Sequence, residues 1–509
     1  MDRRVAQGAP ASRLAAPIEP NTDALARPFD KRLRAIAIGL ALVGISLFVY
    51  WASGPIREYN HFVWQATAFL HGRAAIDYPV APTASSAGNA FFQDVLPILD
   101  PNGNLSGLGL IPFPPLPAIV LMPLVAIWGL ATDERVVSFV LGAIDVGIAW
   151  WMIGRLRIRT STRVLTTVFF ALGTVFWYAA QLGTTWFFAH VVALAPLMAA
   201  VRLALGADPA ADEDLDALEG KPIDDGTRDG EGLRIAERAR MLAALLSRPW
   251  RLVDRRQLLA GFLFGLACTA RISIAFGAPF FVMVGGGGTW VQRAVSTGLG
   301  AALPIGALVA YNLVSTGHII HPAYDYQYRL EAVGYPSLNY HVTWGIEDPR
   351  YLPQNLVIAL LEPPAVLPAS VPASLGDGVP LCTQPGDTRG LFNGNCPLLL
   401  PQDVGMSLFL TSPAYLFALP ALRRYGRSRL VTGATVAALA IAIINLMHFS
   451  QGWVQFGYRF SNDFVPFALI LVALGIERRG GARPLAIALV VASVAINLWG
   501  VWAGNVLGW

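Results

Sequence analysis

The 509-residue chain has few charged residues and few cysteines. Charged side chains make up 14% of it and hydrophobic residues 55%, whereas an average soluble domain carries roughly 25% charged residues. Folded in water, such a chain would expose large apolar surfaces. The composition therefore excludes a soluble enzyme, and it excludes disorder for most of the length. A net charge of +4 is too small to favour nucleic acid as a partner.

The sequence is rich in long apolar runs instead, and these predict an all-α polytopic membrane protein. A further apolar stretch, 113–130, contains four prolines, whose missing N–H groups lipid cannot replace. We place it as an interfacial or re-entrant segment on the outer side. The prediction is about eleven transmembrane helices, at 33–53, 136–154, 164–182, 184–205, 257–270, 272–286, 294–314, 405–422, 430–448, 464–476 and 484–503.

The distribution of basic residues predicts the orientation. With 113–130 kept out of the count, 29 of the 37 basic residues fall on one side and the remaining 8 on the other. Arginine and lysine concentrate in cytoplasmic loops, so the richer side is predicted to be cytoplasmic. The N-terminus is then inside and the C-terminus outside.

The chain divides into a cytoplasmic tail 1–32, a transmembrane module 33–314, a large outer loop 315–404 and C-terminal helices 405–509. The module includes a first outer loop, 54–135, and a cytoplasmic insertion, 206–256. The acidic part of that insertion, 208–231, is expected to be disordered, and the Arg-rich part after it suits a helix on anionic membrane lipids.

Two of the three cysteines, Cys382 and Cys396, lie in one outer loop, where an oxidising compartment permits a disulfide. The third, Cys268, lies in a predicted span and is interpreted as a packing residue.

Acidic residues of the first outer loop are the candidates for acid–base chemistry. Glu58 follows the first span directly, next to His61, where partial desolvation raises a carboxyl pKa towards the range of a general base. The alternative is an acid favoured by the dipole of the helix that follows. His61, Asp94 and Asp100 are candidate substrate contacts; the two aspartates are equally typical of turns.

Arg271 is the clearest phosphate-binding candidate, because a charged arginine in an apolar stretch is costly and usually faces a polar cavity or a partner. Its fork geometry suits a phosphate. The alternative is a structural pair with a buried acid such as Asp145.

A second polar cluster, 451–467, contains Tyr458, Arg459 and Asp463. Arg459 is a second candidate for the donor phosphate, and Tyr458 and Asp463 are candidate substrate contacts. On a helical turn, Arg459 and Asp463 could equally form a local ion pair. His190, at an outer helix end, is a candidate phosphate ligand or acid, and the alternative is a packed histidine.

Metal binding is weakly indicated. His318, His321 and Asp325 have helical spacing, but Pro322 interrupts the run, and no zinc motif is matched. We predict no metal site among the candidate residues.

The order of these features resembles the GT-C superfamily of integral-membrane glycosyltransferases. The likeness is strongest to the branch of protein O-mannosyltransferases and the lipid A aminoarabinose transferase. That branch opens its first outer loop with an acidic pair; here the run is Glu58-Tyr59-Asn60-His61-Phe62, with the second acid replaced by Tyr59. The segment 111–129 is similar to the family's Pro-Pro outer helix, with Phe113 where the family has lysine.

Two later segments also resemble the family: 258–281, with Arg271 in the family's basic position, and 302–319. The resemblance implies a bacterial plasma-membrane enzyme that takes a sugar from a polyprenyl-phosphate donor to a lipid, glycan or protein acceptor at the outer face, with inversion. No cofactor is required, and a divalent metal stays open. The alternatives are a lipid-linked-sugar flippase or transporter, and a glycan ligase or polymerase.

Overall fold

The computed structural model describes residues 22–54, 60–78, 94–208, 253–325, 344–366, 381–382, 386, 388–452 and 455–508, with side chains from Arg32 onwards. Three predicted features lie outside these residues: the catalytic candidate Glu58, nearly all of the acidic stretch 208–231, and nearly all of the Arg-rich part that follows it.

Helices dominate the described residues, and their bounds follow in chain order. The first eight are α1 Thr22–Ser53, α2 His61–Leu70, α3 Leu116–Trp128, α4 Glu134–Ile153, α5 Thr160–Leu172, α6 Phe176–Leu182, α7 Thr185–Ala207 and α8 Arg255–Cys268. The next eight are α9 Ala278–Met283, α10 Trp290–Thr316, α11 Leu352–Leu361, α12 Leu408–Thr411, α13 Ala418–Tyr425, α14 Arg429–Leu446, α15 Ser461–Arg478 and α16 Pro484–Leu507. Short 3₁₀ helices span Gly129–Ala131, Ile272–Gly277, Pro349–Tyr351 and Pro413–Phe417.

Six of these helices are long and apolar enough to cross a membrane, which agrees with the predicted all-α fold with several candidate membrane helices. They are the Arg32–Ser53 part of α1, together with α4, α7, α10, α14 and α16. A seventh span results if α5 and α6, bent by 50° at their junction, cross as one. The count of eleven stays a prediction. Of the other four stretches, 257–270 forms the 14-residue α8, and 272–286 and 405–422 are broken into short helices. The fourth, 464–476, lies in the 18-residue α15, whose two ends carry Asp463, Glu477 and Arg478.

The proline-rich segment forms α3, which has 13 residues and contains Pro123. At 1.5 Å per residue it is about 20 Å long, short of the roughly 30 Å of a bilayer core. The chain leaves it through Gly129, whose φ of 57° favours glycine. These dimensions agree with a segment that does not cross.

Helix α15 is the buried centre of the bundle, since every side chain from Ser461 to Ile476 is buried. It packs against α5, α7, α13 and α14. On the other side of α7, helices α8 and α10 approach each other through Gly261 and Gly300. A Cβ on Gly261 would collide with the backbone of Thr297. Small residues at such crossings are how membrane helices pack closely.

Short strands form two small sheets in the two large loops that were predicted to face outward. Strands β1 (Ile76–Asp77), β3 (Leu105–Leu110) and β2 (Leu96–Leu99) form an antiparallel sheet in that order, with Ile76 opposite Gly109 and Leu96 opposite Leu110. In the second large loop, β4 (Ala365–Val366) pairs with β5 (Leu399–Leu400). Cys382 and Cys396 are joined by a disulfide in the same loop.

Candidate functional site

The carboxylate of Asp463, which is 1% exposed, accepts hydrogen bonds from four side chains. Arg271 donates twice, from Nε to Oδ1 at 3.2 Å and from Nη2 to Oδ2 at 3.0 Å. Ser273 Oγ donates to Oδ2 at 2.7 Å, and Asn445 Nδ2 to the same oxygen at 3.1 Å. His190 Nδ1 donates to Oδ1 at 2.8 Å. We call these five residues the Asp463 cluster.

Breaks between helices bring this cluster together. Helix α8 ends at Cys268, and Arg271 adopts an extended conformation, with φ −142° and ψ 105°, before the 3₁₀ helix Ile272–Gly277. This break directs the guanidinium towards α15. Asp463 lies in the first turn of α15, where the helix dipole favours a carboxylate. The cluster therefore lies at one end of the bundle, where α7 begins and α14 ends.

Two arginines flank the ring of Phe460. The guanidinium carbon of Arg271 lies 5.3 Å from the ring centroid and that of Arg459 lies 5.2 Å away. Arg459 also lies 5.4 Å from the ring of Phe187. Both guanidinium groups also lie close enough to His190 to interact with it electrostatically. Stacking on aromatic faces holds the two guanidinium groups in place beside the cluster.

Two tyrosines extend the site. The hydroxyl of Tyr458 is buried without a hydrogen-bond partner among the described residues. Burial and the neighbouring carboxylate of Asp463 raise its pKa, so the hydroxyl keeps its proton. Burial also raises the pKa of Tyr324, which interacts electrostatically with Arg271 and with Asp94.

Asp94 and His61 both contact α7, one helical turn before His190. Asp94, 2% exposed, accepts a hydrogen bond of 2.8 Å from Trp186 Nε1. The ring of His61 lies 5.7 Å from that of Trp186, and its Nδ1 is 2.9 Å from Thr185 Oγ1. Burial lowers the pKa of His61 to about 3, so its ring is neutral near pH 7. Trp186 and His190 are four residues apart, so α7 links the two groups.

Asp100 belongs to a turn. One of its carboxylate oxygens accepts from the backbone N–H groups of Asn102 and Asn104, at 2.9 and 2.8 Å. It is half-exposed, between β2 and β3, and the structure shows it holding that turn.

An apolar cavity of about 380 Å³ lies between α2, α3, α8 and α10. Thr269 lies on its wall, two residues before Arg271, and its carbonyl accepts from the backbone N–H of Leu116. The cavity wall therefore lies two residues from the arginine along the chain. Its lining residues are Phe69, Pro115, Leu116, Ile119, Met122, Leu266, Thr269, Pro304, Ala307, Leu308 and Tyr311.

Within the described parts of the chain, no group of three or more His, Cys, Asp or Glu side chains is arranged to hold a metal. The Nδ1 atom of His321 accepts a hydrogen bond from the backbone of Ala323.

The structure brings together most of the predicted site residues: Arg271, His190, Asp463, Arg459 and Tyr458. The alternative for Arg271, a structural pair with a buried acid, is confirmed, although the acid is Asp463 and the example Asp145 is wrong. The expected helical pairing of Arg459 with Asp463 has no helix to support it, because α15 begins at Ser461.

Sequence reasoning missed Ser273, Asn445, Phe460 and Tyr324. Ser273 and Asn445 are uncharged residues near helix ends, where polar side chains are common. For Phe460, the only signal in the sequence was that it follows Arg459 directly.

No family model and no curated protein sequence matches the chain. Two solved structures are similar over 92% of it. One is the archaeal oligosaccharyltransferase AglB from Archaeoglobus fulgidus in complex with an inhibitory peptide and a dolichol-phosphate, at 13% identity and a TM-score of 0.40. The other is the Archaeoglobus fulgidus oligosaccharyltransferase tethered to an acceptor peptide, at 12% identity and a TM-score of 0.37. The chain covers 55% and 54% of their lengths, about half of each.

Proposed function

We propose that this protein is an integral-membrane glycosyltransferase of the GT-C type. It moves a sugar from a polyprenyl-phosphate donor to an acceptor hydroxyl at the outer face of a bacterial plasma membrane, with inversion. The observation that carries the proposal is an oriented arginine, Arg271, beside an apolar cavity between membrane helices.

Arg271 is built to bind an anion. Its guanidinium has five N–H groups, of which Asp463 takes two, leaving three without a partner among the described residues. The side chain is 22% exposed, whereas that of Asp463 is 1% exposed. The carboxylate thus fixes the fork while its other edge stays open for phosphate oxygens.

Neighbouring groups complete the phosphate site. Arg459 supplies a second guanidinium, whose central carbon lies 5.2 Å from the centroid of the Phe460 ring. The buried hydroxyl of Tyr458 retains a proton that it can donate to an oxygen of the donor. His190 orients Asp463 through its Nδ1 hydrogen bond. Fixed positive charges of this kind stabilise the negative charge that develops on a leaving phosphate.

The cavity between α2, α3, α8 and α10 suits the isoprenoid tail. Its lining is almost wholly apolar, and one lining residue, Thr269, is two residues before Arg271 in the chain. Each methylene buried there contributes about 0.8 kcal/mol to binding.

Glu58 is the proposed base. In the transfer, the acceptor oxygen forms a bond to the anomeric carbon while the bond from that carbon to the phosphate oxygen breaks. The phosphate leaves with the electron pair, and the acceptor proton passes to Glu58. Asp94, His61 and Asp463 are proposed to contact the substrate. Asp94 and His61 both contact Trp186, which lies on the same helix as His190. Asp100 is proposed as a more distant contact.

Transfer of a radiolabelled sugar from membrane-embedded polyprenyl-phosphate donors tests the function. Glu58→Gln should reduce turnover at least a hundredfold with donor affinity unchanged, and Arg271→Gln should weaken donor binding. Arg350→Gln, which removes an exposed guanidinium paired with Asp348, is the matched control.

Proteoliposomes that move a fluorescent polyprenyl phosphate across the bilayer without sugar transfer would establish the flippase alternative and overturn the proposal. Transfer of preassembled oligosaccharides only would favour a ligase.

A further inference from the structure

Phe460 contacts a histidine that lies outside the Asp463 cluster. The ring of His448 packs against Phe460 edge to face, with 6.1 Å between the ring centroids and 77° between the planes. The guanidinium carbon of Arg271 lies 5.3 Å from the centroid of the same phenylalanine. One aromatic ring therefore lies next to both the arginine of the proposed phosphate site and a histidine that the proposed function does not use.

An acid from the second large loop orients this histidine. Nδ1 of His448 is 3.2 Å from Oε1 of Glu347. Because a carboxylate only accepts hydrogen bonds, Nδ1 carries the proton, and Nε2 of the neutral ring is then an acceptor. The contact with Glu347 thus selects the tautomer whose accepting nitrogen is on the other edge of the ring.

Backbone hydrogen bonds hold the pair in place. Glu347 and His448 form an antiparallel β-bridge, and the N–H of Phe449 donates to the carbonyl of Ile346 at 2.8 Å. Nδ2 of Asn355, on α11, donates to the carbonyl of His448 at 2.9 Å. The fold therefore fixes the histidine at the end of α14, two residues beyond Leu446.

Tyr324 lies near both the phosphate site and this pair. It is close enough to Arg271, Glu347 and Asp94 to interact with each of them electrostatically. Burial raises the pKa of its hydroxyl, which keeps its proton and can donate it in a hydrogen bond to a ligand oxygen.

The histidine and its acid are open to a ligand, whereas the carboxylate of the cluster is not. The side chain of His448 is 28% exposed and that of Glu347 is 49% exposed. Arg271 is 22% exposed, but Asp463 is only 1% exposed. The polar groups beside Phe460 that a ligand can reach therefore include the histidine as well as the arginine.

We propose that His448 and Tyr324 bind hydroxyl groups of the sugar that is joined to the donor phosphate, with Glu347 orienting His448. The inference rests on the proposed function, in which Arg271 binds that phosphate. A single oxygen joins the sugar to the phosphate, so the groups that adjoin the phosphate site are those that the sugar hydroxyls meet. Nε2 of His448 accepts from one hydroxyl, and Tyr324 donates to another. Glu347 is a positioning residue, since it acts through His448.

Binding of lipids with and without a sugar tests this subsite. The purified full chain, in neutral detergent and without acceptor, is titrated with undecaprenyl phosphate and with its glucose, mannose and galactose monoesters. Native mass spectrometry measures each affinity. At least one sugar-bearing lipid should bind about tenfold more tightly than the bare phosphate, because it adds two hydrogen bonds. If none of them binds more tightly than the bare phosphate, the protein has no such subsite.

Two variants remove the proposed contacts one at a time. His448→Phe keeps a ring against Phe460 but removes both nitrogens, and should weaken binding of that sugar-bearing lipid about fivefold, the effect of one hydrogen bond. Tyr324→Phe should have an effect of the same size. Both variants should bind undecaprenyl phosphate like the unmodified protein, which also shows that they are folded.

A third variant tests the positioning role. Glu347→Ala should weaken binding of the sugar-bearing lipid about threefold, less than removal of the histidine nitrogens. In a chain that already carries His448→Phe it should have no further effect, because no accepting nitrogen remains to be oriented. Additive losses would show that Glu347 does not act through the histidine.

The control is His71→Gln, which removes an exposed histidine at the end of α2 and should bind both lipids normally. Normal binding of the sugar-bearing lipid by His448→Phe and Tyr324→Phe would overturn the subsite. If Arg271→Gln still weakens the binding of both lipids, only the sugar subsite fails and the donor phosphate site is retained.

Discussion

Arg271 and Asp463 are 192 residues apart in the chain, and the arginine donates to both oxygens of the aspartate. The two hydrogen bonds fix the plane of the guanidinium beside the apolar cavity. A buried pair of this kind contributes little by itself to folding, but removing one partner is costly because the other is left uncompensated.

The first prediction concerns this pair. Asp463→Asn keeps the shape of the side chain but removes the charge opposite Arg271, and should lower the free energy of unfolding by about 3 kcal/mol. The double variant with Arg271→Gln should lose less than the sum of the single losses, because neither partner remains as an unpaired charge. The measurement is chemical denaturation in detergent micelles, and strictly additive losses would contradict the coupling.

The second prediction concerns the cavity. Ala307→Trp on α10 should fill part of it and raise the KM for the lipid donor about tenfold, equivalent to excluding about two methylenes at ~0.8 kcal/mol each. Leu303→Trp, one turn away on the same helix and 69% exposed, is the control and should leave KM unchanged. Equal effects of both substitutions would place the tail elsewhere.

The third prediction is a pH dependence of stability. Burial lowers the pKa of His61 from 6.5 to about 3. Between these values the unfolded chain binds a proton that the folded chain does not, so stability is present above pH 6.5 and is lost as the pH falls. The loss approaches 1.4 kcal/mol per pH unit for this one group.

Thermal unfolding of the detergent-solubilised protein between pH 7 and pH 4 measures this effect. His61→Asn should flatten the decline, while His71→Asn, at the exposed end of the same helix, should leave it unchanged. An identical slope in all three proteins would show that His61 becomes protonated in the folded state.

The fourth prediction concerns orientation. In intact cells, a membrane-impermeant maleimide should label Arg350→Cys directly and Arg427→Cys only after permeabilisation. Both positions are exposed, and the excess of arginine in the loop around Arg427 predicts that it faces the cytoplasm. The reverse labelling pattern would place the Asp463 cluster on the inner face.

The charged residues of the site were predictable one by one, but their pairing was not, and neither were the uncharged members Ser273 and Asn445. Arg271 and Asp463 stand out because charge is expensive near the membrane. The partner of Arg271 depends on how α8 breaks and where α15 begins, which hydropathy does not report. Asp145, which lies in an apolar stretch, was the partner named from the sequence.

The breaks within apolar stretches were also not predicted from the sequence. The stretch 272–286 is apolar enough for a span, yet it forms the 3₁₀ helix Ile272–Gly277 and the six-residue α9. Gly277 and Pro279 were the local signals of that break. In the stretch 405–422, Pro413 interrupts the helix in the same way. Hydropathy counts apolar residues, whereas a span also needs an unbroken helix.

The position of the donor phosphate tests the central claim most directly. A cryo-EM structure with a bound polyprenyl phosphate should show phosphate oxygens about 2.8 Å from the guanidinium of Arg271, with the isoprenoid chain between α2, α3, α8 and α10. A phosphate bound away from Arg271, for example at mid-membrane depth, would contradict the account.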